Sequence, residues 1–365
     1  MAQSFQQDCV ELALRRFGRG EIDRRALFAG LAALGAAPAL AQAQRNLVMV
    51  NWGGIANQAF GQFYGEPFAA ANAGWRVTQD STGPSAGRIR SMVESGRVTW
   101  DICDSSATTA VLLGGQNMLA PINYSIVDRA NVTGPVFAME HGAAPYSFSS
   151  VLAYDSARFP NGPPTSWADF WDLRRFPGQR LLRRDAVGAM EAASMSMGRT
   201  IQNTYPMDVR AALRRVGEIR RNTVYWNSGA ESEQFLRTGE AVMGMIWHTR
   251  ANVLQRETNG RIRFIWNQGL LQPGIFVIPR GAPGGEMVQR LLASMLANED
   301  AQVGLLQLLG NGPTNRRAAA KVPAEFRAVN PTEPANAAQQ VPIDGVWWGR
   351  NYAQVNQDYL DTITG

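Results

Sequence analysis

The segment Asn46-Leu47-Val48-Met49-Val50-Asn51, broken by Trp52-Gly53-Gly54 and followed by a helical stretch from Ile55 to Ala71, decides the fold. Its apolar run reads as a strand, and the glycine pair as its end. The unit then repeats. Trp75–Gln79 reads as a second strand, Gly83–Gly87 as a turn and Arg88–Ser95 as a helix. Trp100–Cys103 reads as a third strand, with Ser105-Ser106 in place to cap a helix from Ala107 onward. Strand–helix alternation of this kind predicts a mainly parallel α/β sheet. In such sheets ligands sit beyond the carboxyl ends of the strands. Trp52-Gly53-Gly54 and Ser105-Ser106 lie just past two such ends, and Trp247-His248 follows a third apolar run, Ala241–Trp247.

Further strands are expected at Ser149–Tyr154, Arg263–Trp266 and Gly274–Ile278. Helices are expected from Ser166 to Trp171 and over 188–198, 207–222, 231–238, 287–297, 299–309 and 352–362. Tyr225-Trp226-Asn227-Ser228-Gly229 reads as a loop. No internal repeat or low-complexity segment interrupts the pattern.

Upstream of the first strand, Arg24-Arg25 stands before an uncharged run, Ala26 to Leu40, that ends in Ala39-Leu40-Ala41 and Ala41-Gln42-Ala43. Paired arginines, a short apolar stretch and small residues fit an export leader cleaved after Ala41 or Ala43. The stretch is shorter than the ~20 residues that span a bilayer. Arg24-Arg25-Ala26-Leu27-Phe28 resembles the twin-arginine signal with its Leu and Phe exchanged, and the general secretory route is the alternative. Loss of residues 1–43 removes five arginines and four acids from a chain of +5, leaving +4. Lys321 is the only lysine, and the arginines are scattered. A dense basic block is missing, so nucleic acid is not the expected partner. Cys9 belongs to the leader, and the remaining Cys103 has no intrachain partner. The exported chain must then be stable through its cores rather than through disulfides. Two histidines and one cysteine supply no close-spaced metal set, and no cofactor is expected.

The order of landmarks resembles the solute-binding proteins of ABC importers, in the branch with the polyamine (spermidine/putrescine) binders. The landmarks are Val50-Asn51-Trp52, Trp100-Asp101-Ile102-Cys103-Asp104-Ser105-Ser106, Thr165–Trp171, Phe176-Pro177-Gly178, Gly244-Met245-Ile246-Trp247, Val277-Ile278-Pro279 and Gly312-Pro313-Thr314-Asn315. The resemblance implies an α/β, two-lobed periplasmic-binding-protein fold of type II, with a cleft between lobes and hinge crossovers. Lobe 1 would comprise 44–148 and 274–315, and lobe 2 would comprise 149–273 and 316–365. It further implies a monomer that captures a small polar solute in the periplasm and delivers it to a membrane permease.

By the same resemblance, Trp52 and Trp247 are expected to sandwich the ligand, Ser105 to donate a hydrogen bond and Asp185 to supply negative charge. Trp348, beside Trp347, is expected near a closing contact. Two departures weaken a polyamine ligand. Gly188 stands where those binders carry a glutamate, and Gln272 and Gly274 stand where they carry Trp and Asp. From the residues themselves, Gly53, Gly54 and Ser106 offer helix-terminal N–H groups to an anion. Trp226 offers an aromatic wall, and His248 a donor or a pH-sensitive contact. Such N–H groups would favour a ligand with a carboxylate.

Two rival classes remain. One is an exported serine hydrolase using Ser85 within Gly83-Pro84-Ser85-Ala86-Gly87, with His248 as base. Against it, few residues precede Ser85, and Pro84 restricts the strained turn required. The other is a bilobal sensor or scaffold with no part in transport.

Overall fold

The computed structural model describes residues 12–23, 25–27, 45–134 and 137–365. Arg24, the apolar run from Phe28 and both expected cleavage sites lie outside the described residues. No helix among the described residues is long and apolar enough to cross a membrane.

Eleven strands of the described residues form one continuous mixed sheet. The eight principal ones are β1 (Arg45–Val50), β2 (Trp75–Asp80), β3 (Ile102–Ser105), β4 (Gly142–Asp155), β5 (Arg180–Arg183), β6 (Thr223–Trp226), β7 (Met243–Trp247) and β8 (Ile262–Val277). Their spatial order is β2-β1-β3-β8-β4-β7-β5-β6. At one end β1 runs parallel to β2 and β3. At the other β5 runs parallel to β6 and β7. The two parallel groups are joined by β4 and β8, long antiparallel strands that pair with each other along most of their length.

Alternating residues cover both faces of each group, as a sheet with helices on both sides requires. In the first half, Ile102 and Phe276 turn to a core with Leu47, Phe60, Leu291 and Leu305. Their neighbours Cys103, Ile275 and Val277 turn to a core with Val50, Ile89 and Leu113. In the second half, Leu152 and Leu182 join Trp167, Met190, Trp348 and Tyr359. Val151 and Leu181 face the other way, toward Trp226, Leu236 and Leu254. The helices that matter for the site are α1 (Ile55–Phe60), α2 (Ala86–Glu94), α3 (Ala107–Gly115), α4 (Ala186–Ser196), α5 (Val209–Ile219), α6 (His248–Glu257), α7 (Glu286–Ala297), α8 (Glu299–Leu309) and α9 (Gly345–Thr364).

Several elements differ from the sequence expectation for local reasons. The strand foreseen at Ser149–Tyr154 is the second half of β4, and those foreseen at 263–266 and 274–278 are one strand, β8. The register steps between Ser150↔Leu270 and Leu152↔Ile265, so residues 266–269 bulge out of the ladder, with Gln268 at φ 61°. The bulge is anchored, because Trp167 donates through its backbone and its indole to Gln268, at 2.8 and 2.9 Å. Strands β5 and β6 escaped the sequence reading. Each is four residues long, too short for a period of two to emerge. The third strand lies two residues later than expected because Asp101 precedes it as a brace. Its carboxylate accepts from the N–H groups of Val48 (2.7 Å) and Gly284 (2.6 Å).

His248, expected as a ligand donor, instead holds β4 to the loop after α8. It is fully buried. Ser149 N–H on β4 donates to its Nδ1 at 2.9 Å, which leaves the proton on Nε2, 2.8 Å from the carbonyl of Gly310. Burial holds its pKa down to about 4, against the nearby carbonyls of Gly310 and Ser149, which favour the charged form. Between pH 6.5 and 4 the unfolded chain takes up a proton that the folded chain refuses, so stability falls as pH drops through that window. Across it this residue is expected to cost about 3 kcal/mol. Urea midpoints measured from pH 7 to pH 4 should therefore fall less steeply for His248→Gln than for the parent protein. Parallel curves would remove this role.

Candidate functional site

Four strands of the two parallel groups end at one cavity of about 300 Å³. Trp52 follows β1 and Ser105 ends β3, while Arg183 ends β5 with Asp185 just beyond it, and Trp247 ends β7. The crossing strands supply Tyr146, Phe148 and Gln272, and α9 supplies Tyr352.

The first wall is set by a turn. Asn51 is buried, and its side chain accepts from Gly53 N–H (3.0 Å) and donates to Gln79 (2.8 Å). Gly53 and Gly54 take φ 74° and 61°, which residues with a Cβ seldom adopt. The two glycines do not line the cavity. They turn the chain so that Trp52 does, and the Gly53 N–H is committed to Asn51 rather than free for an anion. Ser106 caps α3 by accepting from Thr109 N–H at 3.1 Å. Ser105 is the last residue of β3 rather than a cap. Both serines line the cavity.

Trp52 and Trp247 meet edge to face, with centroids 5.6 Å apart. Trp226 stands behind Trp247 at 5.2 Å and is fully buried, its indole N–H donating to the carbonyl of Met245 at 2.9 Å. It ends β6 rather than lying in a loop, and it backs the wall without lining it.

Arg183 is the group that sequence reasoning missed. Its guanidinium lies 5.4, 5.5 and 5.9 Å from the rings of Trp247, Trp226 and Trp52. No carboxylate among the described residues forms an ion pair with it. Arg250, the other cavity arginine, is compensated by Glu233 at 3.0 Å. A strand end at Arg183-Arg184-Asp185 would have flagged the residue, but β5 was not foreseen.

Asp185 lines the cavity as the N-cap of α4, and its oxygens accept from Val187 N–H (2.9 Å) and the Tyr352 hydroxyl (2.9 Å). No cation pairs with it among the described residues. Gly188 is a kink in α4 at φ 94°, and its N–H donates to Glu191 at 2.7 Å. Glu191 is fully buried and does not line the cavity. It also accepts from Tyr205 and, at 2.6 Å, from the Trp348 indole. Trp348 is therefore a core residue locked to Glu191. The cavity-facing residue of α9 is Tyr352, one turn on.

A second carboxyl, Asp104, sits at the cavity floor. The Tyr146 hydroxyl lies 2.8 and 2.9 Å from its two oxygens. Burial pushes the Asp104 pKa up to about 8, against that hydrogen bond, so the group is mostly neutral at pH 7. Tyr146 lies across β8 where Gly274 leaves room, since a Cβ there would stand 2.1 Å from the ring. Ser85 lines the cavity as the N-cap of α2, accepting from Arg88 N–H at 3.2 Å. His248 is not among the lining residues, and both its ring nitrogens are committed to backbone.

Among the described residues the cavity thus offers one unpaired guanidinium, one unpaired carboxylate and aromatic walls. That set binds a small polar molecule by its ends. Residues 64–333 match the family of bacterial extracellular solute-binding proteins. The gamma-aminobutyric acid-binding protein of Pseudomonas aeruginosa is 28% identical over 332 residues, covering 89% of this chain and 92% of that one. The spermidine/putrescine-binding periplasmic protein of Escherichia coli is 28% identical over 160 residues, 43% of this chain and 44% of that one. An ABC transporter substrate-binding protein from Bradyrhizobium japonicum has a solved structure that aligns with a TM-score of 0.81 at 30% identity, over 88% of this chain and 100% of that one. With the two-group sheet and the cavity between its strand ends, these likenesses establish that the chain belongs to the bacterial extracellular solute-binding proteins, as the solute-binding component of an ABC transporter.

Proposed function

We propose that the solute is a short amine–carboxylate, of the size and charge pattern of an ω-amino acid. The observation that carries this reading is the unpaired Arg183 guanidinium, boxed by three indoles and opening on the cavity. A half-buried cation without an anion is costly, and a ligand carboxylate removes that cost. Asp185, two residues along the same strand end, receives the ammonium group. Trp52 and Trp247 cover the methylene chain, and Ser105 adds a hydrogen bond. A polyamine would bring only positive charge to Arg183. The curated relatives lean the same way, since the likeness to the γ-aminobutyrate binder spans nearly the whole chain and that to the polyamine binder less than half.

The protein works as a monomer in the periplasm, and catalysis is no part of the role. Solute binding favours the closed arrangement of two lobes, which docks on the membrane permease. Lobe 1 is formed by 44–148 with 274–315, and lobe 2 by 149–273 with 316–365. This division is supported by the separate cores on either side of the β4–β8 ladder. The Arg24-Arg25 pair directs export by the twin-arginine route, and processing follows Ala41 or Ala43.

A pair of four-carbon probes tests the ligand class. 4-Aminobutyrate should raise the melting temperature, whereas putrescine, which carries a second amine in place of the carboxylate, should not. Arg183→Gln should abolish the shift. Asp185→Asn should weaken binding about tenfold or more, as expected for loss of a charge-assisted hydrogen bond. Tighter binding of putrescine, improved further by Arg183→Gln, would replace the amino-acid reading with a polyamine one.

Export has its own test. Lysine at both Arg24 and Arg25 should retain the full-length precursor in the cytoplasm. Unimpaired export of that variant would assign the general secretory route.

A further inference from the structure

Helix α9 carries two glycines inside its first turns, Gly345 and Gly349. Glycine weakens a helix interior relative to alanine, so a packing reason is needed. The reason is α3. A Cβ on Gly345 would lie 2.5 Å from the Cβ of Ala107, and one on Gly349 would lie 2.4 Å from Cγ1 of Val111. Both pairs are spaced by four residues, so one ridge of each helix runs along the other. The two helices belong to different cores. Ala107, Ala110 and Leu113 of α3 pack with the first half. Trp348, Val355 and Tyr359 of α9 pack with the second. Any separation of the halves pulls this contact apart.

The same helix grips the charged segment of the cavity. The Tyr352 hydroxyl donates to Asp185 at 2.9 Å, and the Tyr359 hydroxyl donates to the carbonyl of Arg183 at 2.7 Å. Asn356 accepts from Ala186 N–H at 3.0 Å. Residues 352, 356 and 359 share one helical face, so a single rigid element holds Arg183 through Ala186 by three hydrogen bonds. Four residues before Tyr352, Trp348 pins the helix to buried Glu191.

We propose that α9 is a positioning element that couples closure of the two halves to the placement of the charged Arg183–Asp185 segment, through its glycine contact with α3 at one end and its three hydrogen bonds at the other. The proposal rests on the amine–carboxylate reading only for the ligand used to probe it. Tyr352, Asn356 and Tyr359 are positioning residues, and the glycines set how closely the halves meet. Adding bulk at the contact should hold the halves apart and so reduce the binding-competent fraction, which scales the apparent affinity directly.

The test uses the full processed chain and two readouts. Small-angle X-ray scattering of Gly349→Leu without ligand should give a larger radius of gyration than the parent, with an unchanged far-UV spectrum. Its affinity for 4-aminobutyrate should fall about tenfold or more. Tyr359→Phe should lower affinity while leaving the scattering unchanged, and Arg350→Ala, on the exposed face of α9, should change neither. Should Gly349→Leu fail to fold, Val111→Phe adds the bulk from the opposite helix. Parent-like scattering and parent-like affinity in either folded variant would overturn the coupling. A parent protein that ignores 4-aminobutyrate would instead sink the amino-acid reading, while the ligand-free scattering would still decide the coupling.

Discussion

The β4–β8 ladder is the constraint on which everything else hangs. Two strands of 14 and 16 residues pair antiparallel and serve both parallel groups at once. Each group alone would present an unpaired edge where the ladder now stands, and an exposed edge is a liability. Sharing the ladder removes both edges and sets the carboxyl ends of β1 and β3 against those of β5 and β7. The cavity is a by-product of that opposition. The bulge at 266–269 and the His248 brace lie on or beside the ladder. Both fix the backbone where the strands pass from one group to the other.

Within this frame the protein treats its buried charges in two ways. Arg180 is fully buried, and its guanidinium donates to the carbonyls of Phe170, Gly178, Phe176 and Asp172 at 2.5 to 3.4 Å. Burial pulls its pKa down to about 10, yet the group stays cationic at neutral pH because the carbonyls replace its water. Arg183, three residues on, receives no such shell. It has ring faces instead, which attract a cation without consuming its hydrogen-bond donors. The contrast between two arginines of one short strand separates a structural charge from one kept available.

The alternation of strands and helices from Asn46 to Ser106 was legible in the sequence, since apolar runs end at glycines and capping serines. So were the aromatic residues at the ends of β1 and β7. What escaped was set by long-range pairing. Strand β5 reads Arg-Leu-Leu-Arg and shows no periodicity, so Arg183 had no address. Trp348 and Trp226 were plausible wall residues by type. Their burial depends on partners more than a hundred residues away for Trp348, and on the packing of β6 behind β7 for Trp226. His248 illustrates the same limit, for a polar residue after a strand looks alike whether it faces solvent or backbone. The departure at Gly188 was visible, but not its outcome, in which a carboxylate three residues later folds back to close the kink.

The first core has a further consequence in time. It joins Leu47 and Phe60 to Leu291, Leu305 and Leu309. Its members lie at both ends of a long stretch, so the emerging polypeptide cannot complete that core until α8 has been made. Contacts of such long sequence separation are slow to form, because loop closure is paid before any burial rewards it. The nascent β1–β3 group must therefore wait with its apolar faces uncovered, and protection by chaperones matters most for the half of the molecule that is synthesised first.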